Sequence, residues 1–307
     1  MSSTLASKAS EHSLNTAGIF NVNKPAGMTS HQVVNMVRRA AGHKRVGHAG
    51  TLDPLATGVL VICLGWATRL SEYLMAGRKH YRAVVHLGMS TTTYDREGEA
   101  TAVADASGLT LQQVNEAAAM FRGTIEQRPP IYAALKHKGK PLYRLARQGR
   151  TVERAPRTVH IYELSVVDWS PPLVTLDVVC SKGTYIRSLA HDLGEKLGCG
   201  AHLAALTRLA SGPFRLEQAV SPEELAAALR EGRAAALAYP VTQALADFGT
   251  LTLDGAPAEQ LRHGQAIPGP GPQPRSPAIA LLPSGEPIAI VRYDQPAGRW
   301  LPVKVLV

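Results

Sequence analysis

Apolar residues along this chain fall into runs and stripes whose spacing predicts most of its elements. GIFNV (18–22) is a short apolar run that stops at Asn23-Lys24-Pro25-Ala26-Gly27, so it reads as a strand closed by a turn. Val33, Val34 and Val37 then recur at helical spacing behind a cap at Thr29 or Ser30, which predicts a helix through Ala41 with Gly42 as its stop. Lys44–Asp53 is basic and broken by glycine, a loop. GVLVICLG (58–65) is apolar at nearly every position and has strand length, the pattern of a central strand buried on both faces. HYRAVVHLG (80–88) reads as another strand. Thr110 opens a helix with Leu111, Val114, Ala118 and Phe121 as its apolar set, closing at Gly123. Strands are expected over 158–169 and 173–180. Thr184–Leu197 is amphipathic, with Ile186, Leu189, Ala190, Leu193 and Leu197 on one side, and Ala201–Leu209 is expected to continue as helix. Ser221-Pro222-Glu223-Glu224 is a capping box with proline at the first helical position. From Phe248 onward Pro and Gly separate short strand-like runs at 278–282, 287–293 and 300–307, with 268–277 as a loop. Without a regular βαβ alternation, the expected class is α+β: a largely antiparallel mixed sheet with a small β-rich C-terminal domain.

Composition narrows this. The chain has 307 residues, 45% of them hydrophobic, enough for a sizeable core in about two domains. No apolar run reaches the roughly 18 residues of a membrane span. The first 16 residues are polar and lack the apolar centre of a signal peptide, so they read as a disordered tail. Cys63, Cys180 and Cys199 are sparse and odd in number, which argues against a disulfide framework or a zinc site and for a reducing, cytoplasmic setting. The formal net charge of +9 points to a polyanionic partner. It is concentrated: Lys136, Lys138, Lys140, Arg144, Arg147, Arg150, Arg154 and Arg157 face a single acid, Glu153, in one window. Two readings are open, a solvated basic face or a phosphate-tracking surface with Tyr132 and Tyr143 beside it.

Candidate chemistry sits in two short stretches. In GHAGTLDPLATGVL (47–60) only His48 and Asp53 carry strong chemistry. Asp53 reads as the cap of a short helix begun by Pro54, or as a lone nucleophilic carboxylate, and the two are compatible because a helix N-terminus favours the ionised form. His48 is either a structural histidine or a contact to a phosphate or base; with His43 it completes no metal-ligand set. In CSKGTYIR (180–187), Lys182-Gly183-Thr184 lacks the leading glycine of a phosphate-binding loop, and Cys180 has no paired base. Tyr185 and Arg187 stand near a helix start, where Arg187 is placed to pair with a carboxylate such as Asp53, or with a phosphate. Tyr185 is a core or pocket residue, and Tyr81 a core residue or a stacking platform for a base.

Taken in order, these stretches resemble the bacterial TruB-type tRNA pseudouridine-55 synthases over about residues 17–307. NKPAGMTSH (23–31), GHAGTLDPLATGVL (47–60), KHYRAVVHLG (79–88), PPIYAALKHKGKPLYRLARQG (129–149), CSKGTYIRSLAHDLG (180–194) and ALTRLASGPF (205–214) carry the likeness. Asn23 departs from it, since many relatives have an acidic residue there. The resemblance implies a catalytic domain over 17–247 and an RNA-gripping thumb at about 124–157. It further implies a PUA-like RNA-binding domain over 248–307, which rests on position and on QLRHGQAI (260–267). It implies isomerisation of a uridine in the T arm of tRNA, with no cofactor, metal, guide RNA or obligate protein partner; a monomer is expected. On the matching positions, Asp53 is the nucleophile, Arg187 pairs with it, and Tyr81 stacks on the flipped base and serves proton transfer. His48 fills the space the base vacates, Tyr185 and Leu206 wall the pocket, and Lys24 supports the catalytic loop. Lys136, Lys138, Lys140 and Arg147 grip the RNA. Two other readings are a guide-RNA-dependent relative of the dyskerin type and a tRNA-folding chaperone.

Overall fold

The computed structural model describes residues 17–130, 136–137, 140–141, 154–269 and 277–306. Strand β1 (Gly18–Lys24) leads into helix α1 (Ser30–Ala41), which buries Val33, Val34 and Val37. Thr29 caps α1 by accepting from the Gln32 N–H while the Gln32 side chain accepts from the Thr29 N–H, and Gly42 ends it in the left-handed conformation. Strands β2 (Val46–His48) and β3 (Thr57–Leu64) follow, then α2 (Ser71–Ala76) and β4 (Lys79–Leu87). A small ribbon of β5 (Met89–Thr91) and β6 (Ala100–Val103) precedes α3 (Leu111–Ala119) and β7 (Gly123–Gln127). Strands β8 (Lys136–His137) and β9 (Lys140–Pro141) pair with each other. Next come β10 (Arg157–Ser170), β11 (Leu173–Cys180), α4 (Ile186–Leu197), β12 (Ala201–Ser211), β13 (Phe214–Arg215) and α5 (Pro222–Arg230).

These strands build one sheet of nine in the order β1-β3-β12-β4-β11-β10-β7, with β2 added to β3 and β13 to β12. Its pairs are antiparallel except β12 with β3, where Thr207 and Arg208 lie beside Thr57 and Gly58. The apolar run of β3 reflects two-sided burial. Leu60, Ile62 and Leu64 face a core shared with α1, α3, α4 and α5. Val59, Val61 and Cys63 face a second core that takes Ile279, Leu281, Ile290 and Leu306 from the end of the chain. That end is a β-rich domain. After the short helix α6 (Val241–Ala244) come β14 (Gly249–Thr252), α7 (Gly255–Arg262), β15 (Ile267–Pro268), β16 (Ala278–Leu281), β17 (Pro287–Asp294) and β18 (Arg299–Val305). They form a sheet ordered β14-β16-β17-β18-β15 around buried Leu261, Ile288 and Trp300.

Four expectations are corrected. Ala201–Leu209 is not helix but most of β12, between β3 and β4 in the large sheet. Gly198 and Gly200, both at positive φ, stop α4 and turn the chain, and hydrogen bonds to β4 then override the helix preference of alanine and leucine. The stretch Lys44–Asp53 contains β2, which pairs with the end of β3. Asp53 opens a turn, closed by the Ala56 N–H to its carbonyl at 3.1 Å, and caps no helix. Helix α3 ends at Ala119, Gly123 opens β7, and Leu111 is 44% exposed instead of inward.

Candidate active site

The loop after β2 is held almost residue by residue. Arg208, 1% exposed on β12, donates from Nη2 to the Gly50 carbonyl at 2.9 Å and from Nη1 to the Thr51 carbonyl at 3.3 Å. Ser30 at the start of α1 pairs with both polar backbone groups of Leu52, accepting from its N–H at 2.9 Å and donating to its carbonyl at 3.0 Å. The Gly27 N–H donates to the Pro54 carbonyl at 2.8 Å. Fully buried Lys24 donates from Nζ to the carbonyls of Met28, at 2.6 Å, and Pro25, at 2.8 Å, and lies 3.4 Å from that of Pro54. Burial, opposed by Asp53 and reinforced by Arg208, lowers its pKa to about 8. Between these anchors the Asp53 carboxylate is presented to a cavity of about 270 Å³ lined by Asp53, Tyr81, Tyr185, Arg187, Leu206 and Arg208, among others.

Arg187, in the first turn of α4, is 6% exposed and bridges two carboxylates. Its Nε lies 3.0 Å from Asp53 Oδ2 and its Nη1 3.2 Å from Oδ2 of buried Asp95. The other oxygen of Asp95 accepts from the Thr93 hydroxyl at 2.5 Å and the Glu97 N–H at 3.1 Å. Burial pushes the Asp53 carboxyl above its ordinary pKa; Arg187 draws it back, Asp95 adds to the rise and Lys24 opposes it. Asp53 is therefore a partly desolvated carboxylate with one cationic neighbour in contact and an open side toward the cavity, where its side chain is 36% exposed.

Tyr81 on β4 sits directly opposite Arg208 on β12 and is 8% exposed. Burial raises its pKa, with Arg208 opposing, so its hydroxyl stays protonated at neutral pH. Tyr185 is fixed through its backbone: its N–H donates to Gln127 Oε1 at 3.0 Å and its carbonyl accepts from Gln127 Nε2 at 3.3 Å. Leu206 completes one wall at 8% exposure.

The structure thus brings together Asp53, Tyr81, Tyr185, Arg187 and Leu206, with Lys24 beneath the loop. His48 is placed apart from the cavity wall, on β2 opposite Ile62. Burial, then Arg208 and His31, lowers its pKa. Lys136 and Lys140 are in the β8–β9 pair, while Lys138 and Arg147 lie outside the described residues, as do Tyr132 and Tyr143. Asp95, Gln127 and Arg208 were not singled out from the sequence. Arg208 had a signal, as the single charge within ALTRLA, and so had Asp95, within the turn-forming stretch TTTYDREG.

The family model described as TruB family pseudouridylate synthase, N-terminal domain, matches residues 38–186, and that of the tRNA pseudouridylate synthase B C-terminal domain matches 187–246. A protein of Symbiobacterium thermophilum named tRNA pseudouridine synthase B is 52% identical over 81% of this chain and 82% of its own length. One of the same name from Dehalococcoides mccartyi is 43% identical over 94% and 96%. The chain belongs to the TruB family of pseudouridylate synthases. The first TruB segment carries Asp53, Tyr81 and Asp95 and the second carries Arg187, Leu206 and Arg208, so the site is assembled across their junction. The TruB fold here is also similar to a chain of a solved Cbf5–Nop10–Gar1 complex, with a TM-score of 0.71 and 26% identity over 97% of this chain and 85% of the other. A chain of an H/ACA RNP bound to a substrate RNA containing 2'-deoxyuridine shares the fold at a TM-score of 0.69 and 24% identity, over 94% of this chain and 85% of the other.

Proposed function

We propose that this chain converts uridine 55 in the T arm of tRNA to pseudouridine, with Asp53 as nucleophile and without guide RNA. The observation that carries the reading is the Asp53 carboxylate, held by a backbone pinned at Gly50, Thr51, Leu52 and Pro54 and contacted by Arg187 at 3.0 Å, at the edge of a base-sized cavity. In the reaction the N1–C1′ bond of the nucleoside breaks and a C5–C1′ bond forms; the proton leaves C5 and N1 gains one. Nothing is oxidised and no group is imported, so one nucleophile suffices and no cofactor or metal is called for. Asp53 acts by attack on the ribose, attack on the base C6, or deprotonation toward a glycal. Tyr81 stacks on the base and, kept protonated by burial, supplies a hydroxyl for proton transfer. Arg187 orients the carboxylate and steadies its charge.

The target base is paired and stacked in the folded arm and has to be flipped out, at a cost of a few kcal/mol that contacts with Tyr81, Tyr185 and Leu206 offset. His48, at the mouth of the loop, fills the space left behind. The basic window of the thumb, at about 124–157, with Lys136, Lys138, Lys140 and Arg147, tracks phosphates, and a PUA-like domain over 248–307 extends the RNA surface. Domain 17–247 carries the chemistry, and the protein acts as a cytoplasmic monomer. Among the described residues no helix is long and apolar enough to cross a membrane.

The test incubates purified protein, in EDTA, with an unmodified tRNA transcript, beside the Asp53→Asn variant, and maps pseudouridine by carbodiimide-stop sequencing. One new stop in the T arm, absent with Asp53→Asn, is expected. Modification that appears only when a guide RNA is added refutes the guide-free reading, and a parental rate in Asp53→Asn refutes the nucleophile.

A further inference from the structure

Tyr94 has φ of +63°, the one non-glycine residue at positive φ among the described residues. A bulky side chain is costly there, so something must over-determine it. Its backbone is tied on both sides: the Tyr94 N–H donates to the Thr91 carbonyl at 3.2 Å, and its carbonyl accepts from the Leu203 N–H of β12 at 3.0 Å. Its ring lies on the imidazole of His191, with centroids 3.9 Å apart and planes 7° from parallel. His191 is on α4, four residues beyond Arg187 and so on the same helix face. Asp95, the next residue after Tyr94, holds Arg187 at 3.2 Å.

Neighbouring residues of an extended chain point to opposite sides. For Tyr94 and Asp95 both to meet α4 the backbone must leave the extended form, and the left-handed Tyr94 does this. Two consecutive loop residues then grip one helix at two points a turn apart. Leu203 of β12 holds the loop at the Tyr94 carbonyl and the Arg96 N–H; toward α4 the carboxylate–guanidinium contact fixes a distance, and the parallel ring contact one turn away also constrains the angle at which the helix meets the loop. We infer that the Tyr94–His191 stack is a positioning contact for the Asp95–Arg187–Asp53 series, setting the orientation in which Arg187 presents itself to the reactive carboxylate. The inference rests on the proposed role of Asp53 and adds Tyr94 and His191 as residues that act through Arg187 without touching the substrate.

The test uses the full chain and measures the single-turnover rate at saturating tRNA, the dissociation constant for tRNA and the melting temperature. Tyr94→Asn keeps a residue that tolerates positive φ while removing the ring, and Tyr94→Phe keeps the ring. Loss of an aromatic contact of this kind corresponds to about three- to tenfold in rate. Tyr94→Asn and His191→Ala are each expected to slow the reaction by that factor with tRNA affinity unchanged. The double variant is expected to be no slower than the slower single one, and Tyr94→Phe to restore the rate. A parental rate in Tyr94→Asn, losses that multiply in the double variant, or a Tyr94→Phe as slow as Tyr94→Asn overturns the inference. Asp53→Asn is run alongside: if it is inactive while Tyr94→Asn is parental, only the stack fails, whereas an active Asp53→Asn overturns the reading of the site itself.

Discussion

Replacing Arg208 by methionine keeps an unbranched side chain about as long as the arginine stem and removes three donor nitrogens from the middle of the molecule. The Nε group gives 2.6 Å to the Val59 carbonyl, Nη2 gives 2.9 Å to Gly50 and Nη1 a weaker 3.3 Å to Thr51. Counting the two shorter bonds at about 1.5–3 kcal/mol each gives a gross loss of about 3–6 kcal/mol. Methionine also relieves the cost of a buried charge, which returns part of that sum. The carbonyls of Gly50 and Thr51 border the cavity and can be rehydrated. The Val59 carbonyl cannot, because it sits inside β3 where all neighbours are buried. The expected net loss is about 3 kcal/mol, read as a lower urea midpoint with an unchanged slope. Activity should fall further than stability does, by about a hundredfold under conditions where the variant is fully folded, since a displacement near 1 Å of a reacting group costs about that much. Arg208→Lys offers one point donor in place of a planar fork and should recover only part of both losses. A methionine variant with a parental urea midpoint and a parental single-turnover rate would show that Ser30, Gly27 and Lys24 fix the loop without Arg208.

Gly58 has φ of +98°, and a Cβ there would stand 2.3 Å from the Arg208 carbonyl oxygen and 2.8 Å from its nitrogen, both backbone atoms. Gly58→Ala should therefore cost about 2–6 kcal/mol in strain and overpacking, whereas Gly47→Ala, with open space around its Cβ, should melt like the parent; equal melting of the two variants refutes the account. Stability should also depend on pH in a defined window. Burial lowers the pKa of Lys24 and of Lys79 to about 8 from the usual 10.5, so between pH 8 and 9 the unfolded chain holds more protons and folding stability rises with pH. Above pH 9 the buried thiols of Cys63 and Cys180, pushed up to about 12 and about 11, act in the opposite sense and flatten the rise. Urea midpoints at pH 7.5, 8.5 and 9 test this, and a flat or falling series rejects it.

The parts of the fold that could be read directly are those whose cause is local. Thr29, Gln32 and Gly42 bracket α1 with its own side chains, and Val33, Val34 and Val37 mark its buried stripe. The unbroken run of β3 announces burial on both faces, which the two cores explain. Ala201–Ser211 was opaque because its alanines and leucines favour a helix, while the partners that make it a strand are at residues 57–58 and 79–87. The site divides in the same way. Asp53 is legible as a charge in small-residue surroundings and Arg187 as a charge at a helix start, and the two are in contact. Asp95 and Arg208 take their meaning from buried partners 92 and 157 residues away, and neither burial nor those partners can be read from the residues beside them.

The single parallel pairing in the large sheet also orders events during synthesis. One edge of β3 is covered by β1 along its length, and the other is divided between β2 at residues 62–64 and β12 at residues 57–58. Where those two diverge, the Val59 carbonyl finds its donor in the Arg208 side chain. A ribosome adding about 5–20 residues per second needs roughly 8–30 s to travel from Thr51 to Arg208. Throughout that interval the nascent chain carries an apolar strand with half an edge unpaired and an Asp53 loop without its Arg208 clamp. Such a strand is a template for pairing with another chain, so truncation before β12 yields a species prone to self-association as well as an inactive one.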